Sequence, residues 1–141
     1  MTAKIIDVDD GDSDYDQAFQ DARTSFHRLE SLWAGPYEGV RHFMIKVCFD
    51  GVRRPIFLWL ELTEILDNAY VGCVFESTDE LTNVSEGDTV HVPKDLALDW
   101  LVNDHGVIHG GFTLLVERRR LSGQQLAAFD ESLEAESWVD A

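Results

Sequence analysis

Two cysteines and three prolines are few for 141 residues, and Lys plus Arg number 11 against 27 Asp plus Glu. Each scarcity excludes something. So few thiols cannot make a disulfide framework, and the two cysteines do not form a pair at zinc-finger spacing. Cys48 and Cys73 fall in strand-like segments, so reduced core thiols are the reading we take, with a disulfide between neighbouring strands as the alternative. The shortage of positive charge leaves a formal net charge of −16, which speaks against nucleic acid or an anionic membrane as partner. No apolar run reaches membrane-spanning length, and the first residues lack the basic-then-apolar order of a signal peptide. A cytoplasmic protein is expected.

Chemical motifs are equally scarce. Ser77, Thr78 and Ser85 lie near carboxylates but have no histidine nearby in sequence, and nothing marks a nucleophile elbow. Gly110-Gly111 precedes a strand-like run, not a helix, so it is no phosphate loop. The aspartates at 7, 9, 10, 12, 14 and 16 invite an EF-hand reading. Counting from Gly11 puts Val8 and Ile6 where ligands belong and Gln17 where the glutamate should stand. Asp99, Asp104, His105 and His109 have ligand chemistry, but they are spread over a helix end and a glycine turn. No metal and no cofactor are expected, and no catalytic residue is assigned.

Present in quantity are apolar residues (45%) and aromatics (11%), enough for one self-sufficient core. The most strongly punctuated stretch is residues 87–113. Glu86-Gly87-Asp88 is turn chemistry, and Thr89 to Val92 alternates like a half-buried strand. Pro93 suits the first turn of a helix. Leu96, Leu98, Trp100 and Leu101 then recur at roughly helical spacing, and Gly106 can cap in the left-handed region. A last strand is expected to start at Phe112.

Gly87-Asp88 with Val90, then Asp99-Trp100, then Gly110-Gly111-Phe112-Thr113 resemble the bacterial family of unknown function DUF2314. Phe43 to Val47, the strand around Trp59 and Tyr70-Val71-Gly72 are similar to its earlier strands, so the resemblance covers about residues 19–129. It implies a small α+β domain with a curved antiparallel sheet and brings no established activity. The family places an acid and a histidine before the tryptophan of the second strand. Here Ile56 and Phe57 stand there, so chemistry based on that pair is not carried over.

Along the chain, residues 1–14 read as a mobile acidic arm, 15–134 as a single α+β domain, and 135–141 as a frayed acidic tail in which Trp138 is the one residue that could dock. Apolar residues from Tyr15 to Leu32 recur every three or four positions, an amphipathic helix with Asp14 as its N-cap. Residues 41–49 and 56–62 read as strands joined at Asp50-Gly51, and 69–76 as another. Residues 77–86 are polar and read as an exposed loop. Arg118-Arg119-Arg120 would alternate faces on a strand and pair with surplus carboxylates. Ser122 caps a final helix.

The expected fold is α+β: a curved, largely antiparallel sheet of four or five strands, half-open and barrel-like, with an N-terminal helix, a short inserted helix and a C-terminal helix. The expected function is a non-enzymatic acidic binding protein, monomeric or weakly dimeric, such as an immunity protein capping a basic bacterial toxin. Its partner surface is placed on Glu61, Glu64, Asp79, Glu80 and Glu86. One alternative is a small-ligand or hydrolytic domain with a pocket formed by Trp59, Asp99, Trp100, His105 and His109. In that stretch Trp100 serves equally as an anchor pinning its element to the sheet. Another is a housekeeping domain whose acidity serves solubility or reflects its host.

Overall fold

The computed structural model describes residues 4–8, 11–36 and 41–141; Asp9 and Asp10 of the acidic run lie outside them. Among the described residues there are four α-helices and eight largely antiparallel strands, an α+β protein. The expectation of four or five strands is thereby corrected. Two additions are two-residue strands, a third comes from a stretch expected to be helical and a fourth from the glycine-bounded stretch after it, while the strand expected from Phe112 is a helix. The chain divides into two compact units: residues 1–9 with 44–98, and residues 10–43 with 99–141.

The first unit is a meander. Strand β1 (Ile5–Ile6), inside the stretch expected to be an arm, pairs with β2 (Arg41–Asp50) at Phe49 and Cys48. β2 turns at Asp50-Gly51 into β3 (Pro55–Ile65), with Val47 opposite Leu58 and Ile45 opposite Leu60. β3 pairs with β4 (Ala69–Val74), and β4 with β5 (Thr89–Pro93). Alternation sets the faces: Ile45, Val47, Phe49, Ile56 and Leu60 are buried on one side. Opposite residues share a face, so Lys46, Phe57 and Trp59 lie on the other. There the Lys46 ammonium sits 5.3 Å from the Phe57 ring and 5.8 Å from that of Trp59, a cation–π arrangement. Residues 77–86 are not simply an exposed loop. Leu81 and Val84 are buried, the Ser77 hydroxyl donates to the Val84 carbonyl at 2.8 Å, and Val52 N–H reaches the Glu80 carbonyl at 3.2 Å.

In the second unit the expected single helix is two, α1 (Ser13–Arg23) and α2 (Phe26–Ala34). Asp12, not Asp14, caps the first, accepting from Asp14 N–H at 2.9 Å. The break follows from Thr24 and Ser25, whose hydroxyls reach back to the carbonyls of Gln20, Asp21 and Ala22 and compete with helix bonding. After a single 3-10 turn at Lys94–Leu96, which closes the first unit, comes a strand, β6 (Asp99–Asp104), not the expected helix. β6 forms a hairpin with β7 (Val107–Gly110) across His105-Gly106, both at positive φ. That is how a two-residue turn matches the twist of its strands. Residues 112–119, expected as a strand, are the helix α3 (Phe112–Arg119), followed by α4 (Gly123–Ser132). Arg118 and Arg120 therefore project from a helix and its end. They do pair with carboxylates: Arg118 with Asp130 at 2.9 Å, Arg120 with Asp12 and Asp14 at 2.9 and 3.1 Å.

The last residues, expected to fray, are tied down. Strand β8 (Ser137–Trp138) runs parallel to β7. Trp138 donates from Nε1 to Asp130 at 3.0 Å and stacks on Phe129, and Arg28 holds Asp140 with two bonds of 2.9 and 3.0 Å. No described helix is long and apolar enough to cross a membrane.

Candidate functional site

Asp99 and Trp100, expected either as pocket residues or as an anchor, are both 0% exposed. Their polar groups are occupied. Asp99 accepts from the main-chain N–H of Trp100 (2.8 Å), Phe112 (3.2 Å) and Thr113 (2.8 Å), and from the Thr113 hydroxyl (2.7 Å). A carboxylate receiving that many bonds is a structural clamp: it fastens β6 to the first turn of α3. Trp100 donates from Nε1 to the Ser25 hydroxyl at 2.9 Å, pinning β6 to the junction of α1 and α2. Gly110 is required beside it. Its φ is +73°, and a Cβ would lie 2.6 Å from the Trp100 carbonyl and 2.8 Å from its ring.

The remaining members of that proposed pocket are placed differently. His105 is exposed in the hairpin turn, its Nδ1 2.7 Å from Asp104. His109 is half-buried, and burial, then the nearby Arg28, holds its imidazole below the usual histidine value. Arg28 also lies 5.1 Å over the Trp100 ring. Burial alone would raise the Asp140 carboxyl, but bonds from Arg28 and from Gly110 N–H (2.9 Å) outweigh it and hold it below the ordinary range. Trp59 belongs to β3 of the first unit. Among the described residues no group of three or more His, Cys, Asp or Glu is arranged to hold a metal ion.

The acidic candidates all fall in the first unit. Glu61 stands opposite Cys73 and, past a bulge, Glu64 stands opposite Val71, so the two share a sheet face and both are exposed. Asp79 and Glu86 are exposed on the loop, at its two ends. Glu80 differs: Arg54 grips it with bonds of 2.9 and 2.8 Å and, through them, lowers its carboxyl pKa. It is a fastening between the loop and the turn that leads into β3, not a spare charge.

Beside that ion pair is a feature no local sequence signal announced. The β3–β4 ladder begins only at Leu60 opposite Val74. Ahead of that pair the two segments part and enclose a cleft of about 410 Å³, lined on one side by residues 54–58 and on the other by Glu76, Ser77, Thr78 and Glu80. The alternation had extended β4 to residue 76; its end at Val74 opens the cleft. Phe75, 43% exposed, marks the point of departure.

A family model described as an uncharacterized protein conserved in bacteria, DUF2314, matches residues 12–136. The chain belongs to the DUF2314 family. This DUF2314 protein is also 26% identical, over 137 residues and 89% of its length, to a putative ankyrin repeat protein (NMB1133/NMB1171) of Neisseria meningitidis serogroup B (strain ATCC BAA-335 / MC58). It spans 53% of that relative's length. No solved structure matches it.

Proposed function

We infer that this DUF2314 protein is a non-enzymatic acidic binding protein that caps a basic protein partner in the cytoplasm, as an immunity protein caps a toxin. The observation that carries the reading is the state of the acids in the first unit. Glu61, Glu64, Glu76, Asp79 and Glu86 are all exposed, and no ion pair to any of them occurs among the described residues. Exposed unpaired carboxylates raise the local potential, steer a basic partner and reject acidic ones. The Neisserial relative's name fits the same setting, since ankyrin repeats are stacked units that offer extended binding surfaces. Against an enzyme stand the burial of Asp99 and Trp100 and the bonding of every polar atom through which they could act.

Co-expression with a panel of basic bacterial toxin domains tests this reading. At least one toxin is expected to lose its growth inhibition, and the Glu61→Lys, Asp79→Lys, Glu86→Lys triple variant is expected to lose the rescue while staying folded. Rescue of none, or equal rescue by the variant, would overturn it.

A further inference from the structure

The cleft at the start of β3 has the form of an interrupted sheet. Main-chain direction follows from the bonds at the end of β4: Val74 N–H donates to Asp88 and its carbonyl accepts from Gly87 N–H, at 2.9 and 2.7 Å. Val74 therefore faces β5, and by alternation Cys73 faces β3, opposite Glu61. Two residues earlier on β3, Trp59 directs its own N–H and carbonyl to the same side. There Phe75, its partner by register, has already left the strand. β3 thus continues for five residues, Pro55 to Trp59, beyond the last pair it makes with β4.

The gap is not filled by side chains. Its volume of about 410 Å³ lies within the range of about 300–1,000 Å³ typical of ligand sites. The half-buried Phe57 and Leu58 give it an apolar wall. The rim is acidic: Glu76 lines the cleft and Asp79 sits in the adjoining turn, both exposed. Arg54 adds no positive charge to the rim, being held by Glu80. Its far end is stiffened by the Val52 to Glu80 bond.

We propose that this cleft receives an extended peptide segment carrying lysine or arginine, which adds to β3 as a strand between it and residues 76–78. Strand addition combines main-chain bonds with alternate side-chain contacts. Guest side chains on one face of the sheet lie beside Phe57 and those on the other beside Leu58, while Glu76 and Asp79 stand at the rim. Apolar side chains suit that wall and basic ones the rim, so a segment that mixes the two fits. The assignment rests on the basic-partner reading and narrows it to a binding mode.

Amide chemical-shift mapping with synthetic hexapeptides provides the test. The probe is a capped peptide alternating valine and lysine; controls replace lysine by glutamate or methylate every second main-chain nitrogen. The valine–lysine peptide is expected to shift the amides of Leu58, Trp59, Ser77 and Thr78. The glutamate peptide should bind at least tenfold more weakly, and one of the two N-methylated registers should abolish the shifts. Thr78→Trp, which fills the cleft, should weaken binding at least tenfold; if it fails to fold, Glu76→Lys should weaken it several-fold with the fold intact. Shifts confined to the surroundings of Glu61, Glu64 and Glu86, or insensitive to N-methylation, would overturn the cleft and leave the basic-partner reading standing. No binding of any basic peptide at low salt would overturn both.

Discussion

The two units carry acid in similar excess, more than two carboxylates for every Lys or Arg in each, yet the second ties more of it into ion pairs among the described residues. In the second unit five acids serve as internal fastening: Arg28 with Asp140, Arg41 with Asp104 at 3.6 Å, Arg118 with Asp130, Arg120 with Asp12 and Asp14, while Glu117, Glu131, Glu134 and Glu136 are exposed without ion pairs among the described residues. Asp99 clamps a helix and Asp130 also holds Trp138. In the first unit one bidentate pair, Arg54 with Glu80, closes a loop, while the exposed acids around it stand without ion pairs among the described residues. Net charge therefore does not locate a surface, and exposed acids without ion pairs occur in both units; what differs is the number of internal pairs.

The contrast predicts a graded set of outcomes. The largest belongs to the second unit. Trp100→Ala removes its largest fully buried side chain and its bond to Ser25, and should lower stability by about 3–5 kcal/mol, read by denaturant unfolding. Asp99→Ala leaves buried donors unpaired and should cost about 3 kcal/mol or more at about 1–3 per orphaned group. A soluble Trp100→Ala protein of near-parental stability would break the comparison.

A smaller effect follows from pH. His109 and Asp140 both have depressed values in the folded chain, so the unfolded chain takes up their protons first. Each contributes stability that is complete above its ordinary pKa and is lost as pH falls toward its folded one. Melting temperature should decline in two stages, the first below the usual histidine value and the second below the ordinary carboxylate range. His109→Gln should flatten the first stage and Asp140→Asn the second. A single stage unchanged by both variants would remove this account.

Smaller still in stability, and opposite in kind, is reversal of the first unit's free acids. Asp79→Lys with Glu86→Lys should move stability by no more than about 0.5 kcal/mol, as surface changes do. The same pair should slow association with a basic protein at low ionic strength by stopped-flow. The difference should vanish as salt shortens the screening length to about 8 Å and below.

The smallest effect concerns thiols. Burial, then the neighbouring Asp50, pushes the Cys48 thiol up to about 11, so alkylation at mild pH should mark the half-buried Cys73 and spare Cys48. Equal labelling would mean that the sheet opens.

These contrasts also explain what the sequence could and could not disclose. β2 and β3 were legible because one face of each is largely buried, and Phe43, Ile45, Val47 and Phe49 alternate with residues that are in part exposed. β6 was not. Asp99 through Asn103 are all buried, and a strand buried on both faces loses its period of two. Leu98, Trp100 and Leu101 then mimic helical spacing. α3 was misread for the reverse reason. Phe112-Thr113-Leu114-Leu115-Val116 has strand composition, and what makes it helical is a carboxylate thirteen and fourteen residues earlier. Among the acids proposed as a partner surface, the pairing of Glu80 with Arg54, 26 residues earlier, was not visible because no local pattern links them. The cleft was not, because it depends on β4 stopping two residues before its alternation does.

The clamp at Asp99 has a consequence in time as well as in energy. Helix α3 is eight residues long and its N-cap position is Gly111, which has no side chain to cap it. Isolated helices of that length do not persist in water. Its N-terminal donors at Phe112 and Thr113 are satisfied only once β6 has delivered Asp99 to them. Helix formation here is thus conditional on a completed strand, reversing the usual order in which local structure precedes distant pairing. Folding should then pass through a barrier at which the β6–β7 hairpin is formed and α3 is not. Substitutions on the outer face of that helix would accelerate unfolding while leaving the folding rate nearly untouched.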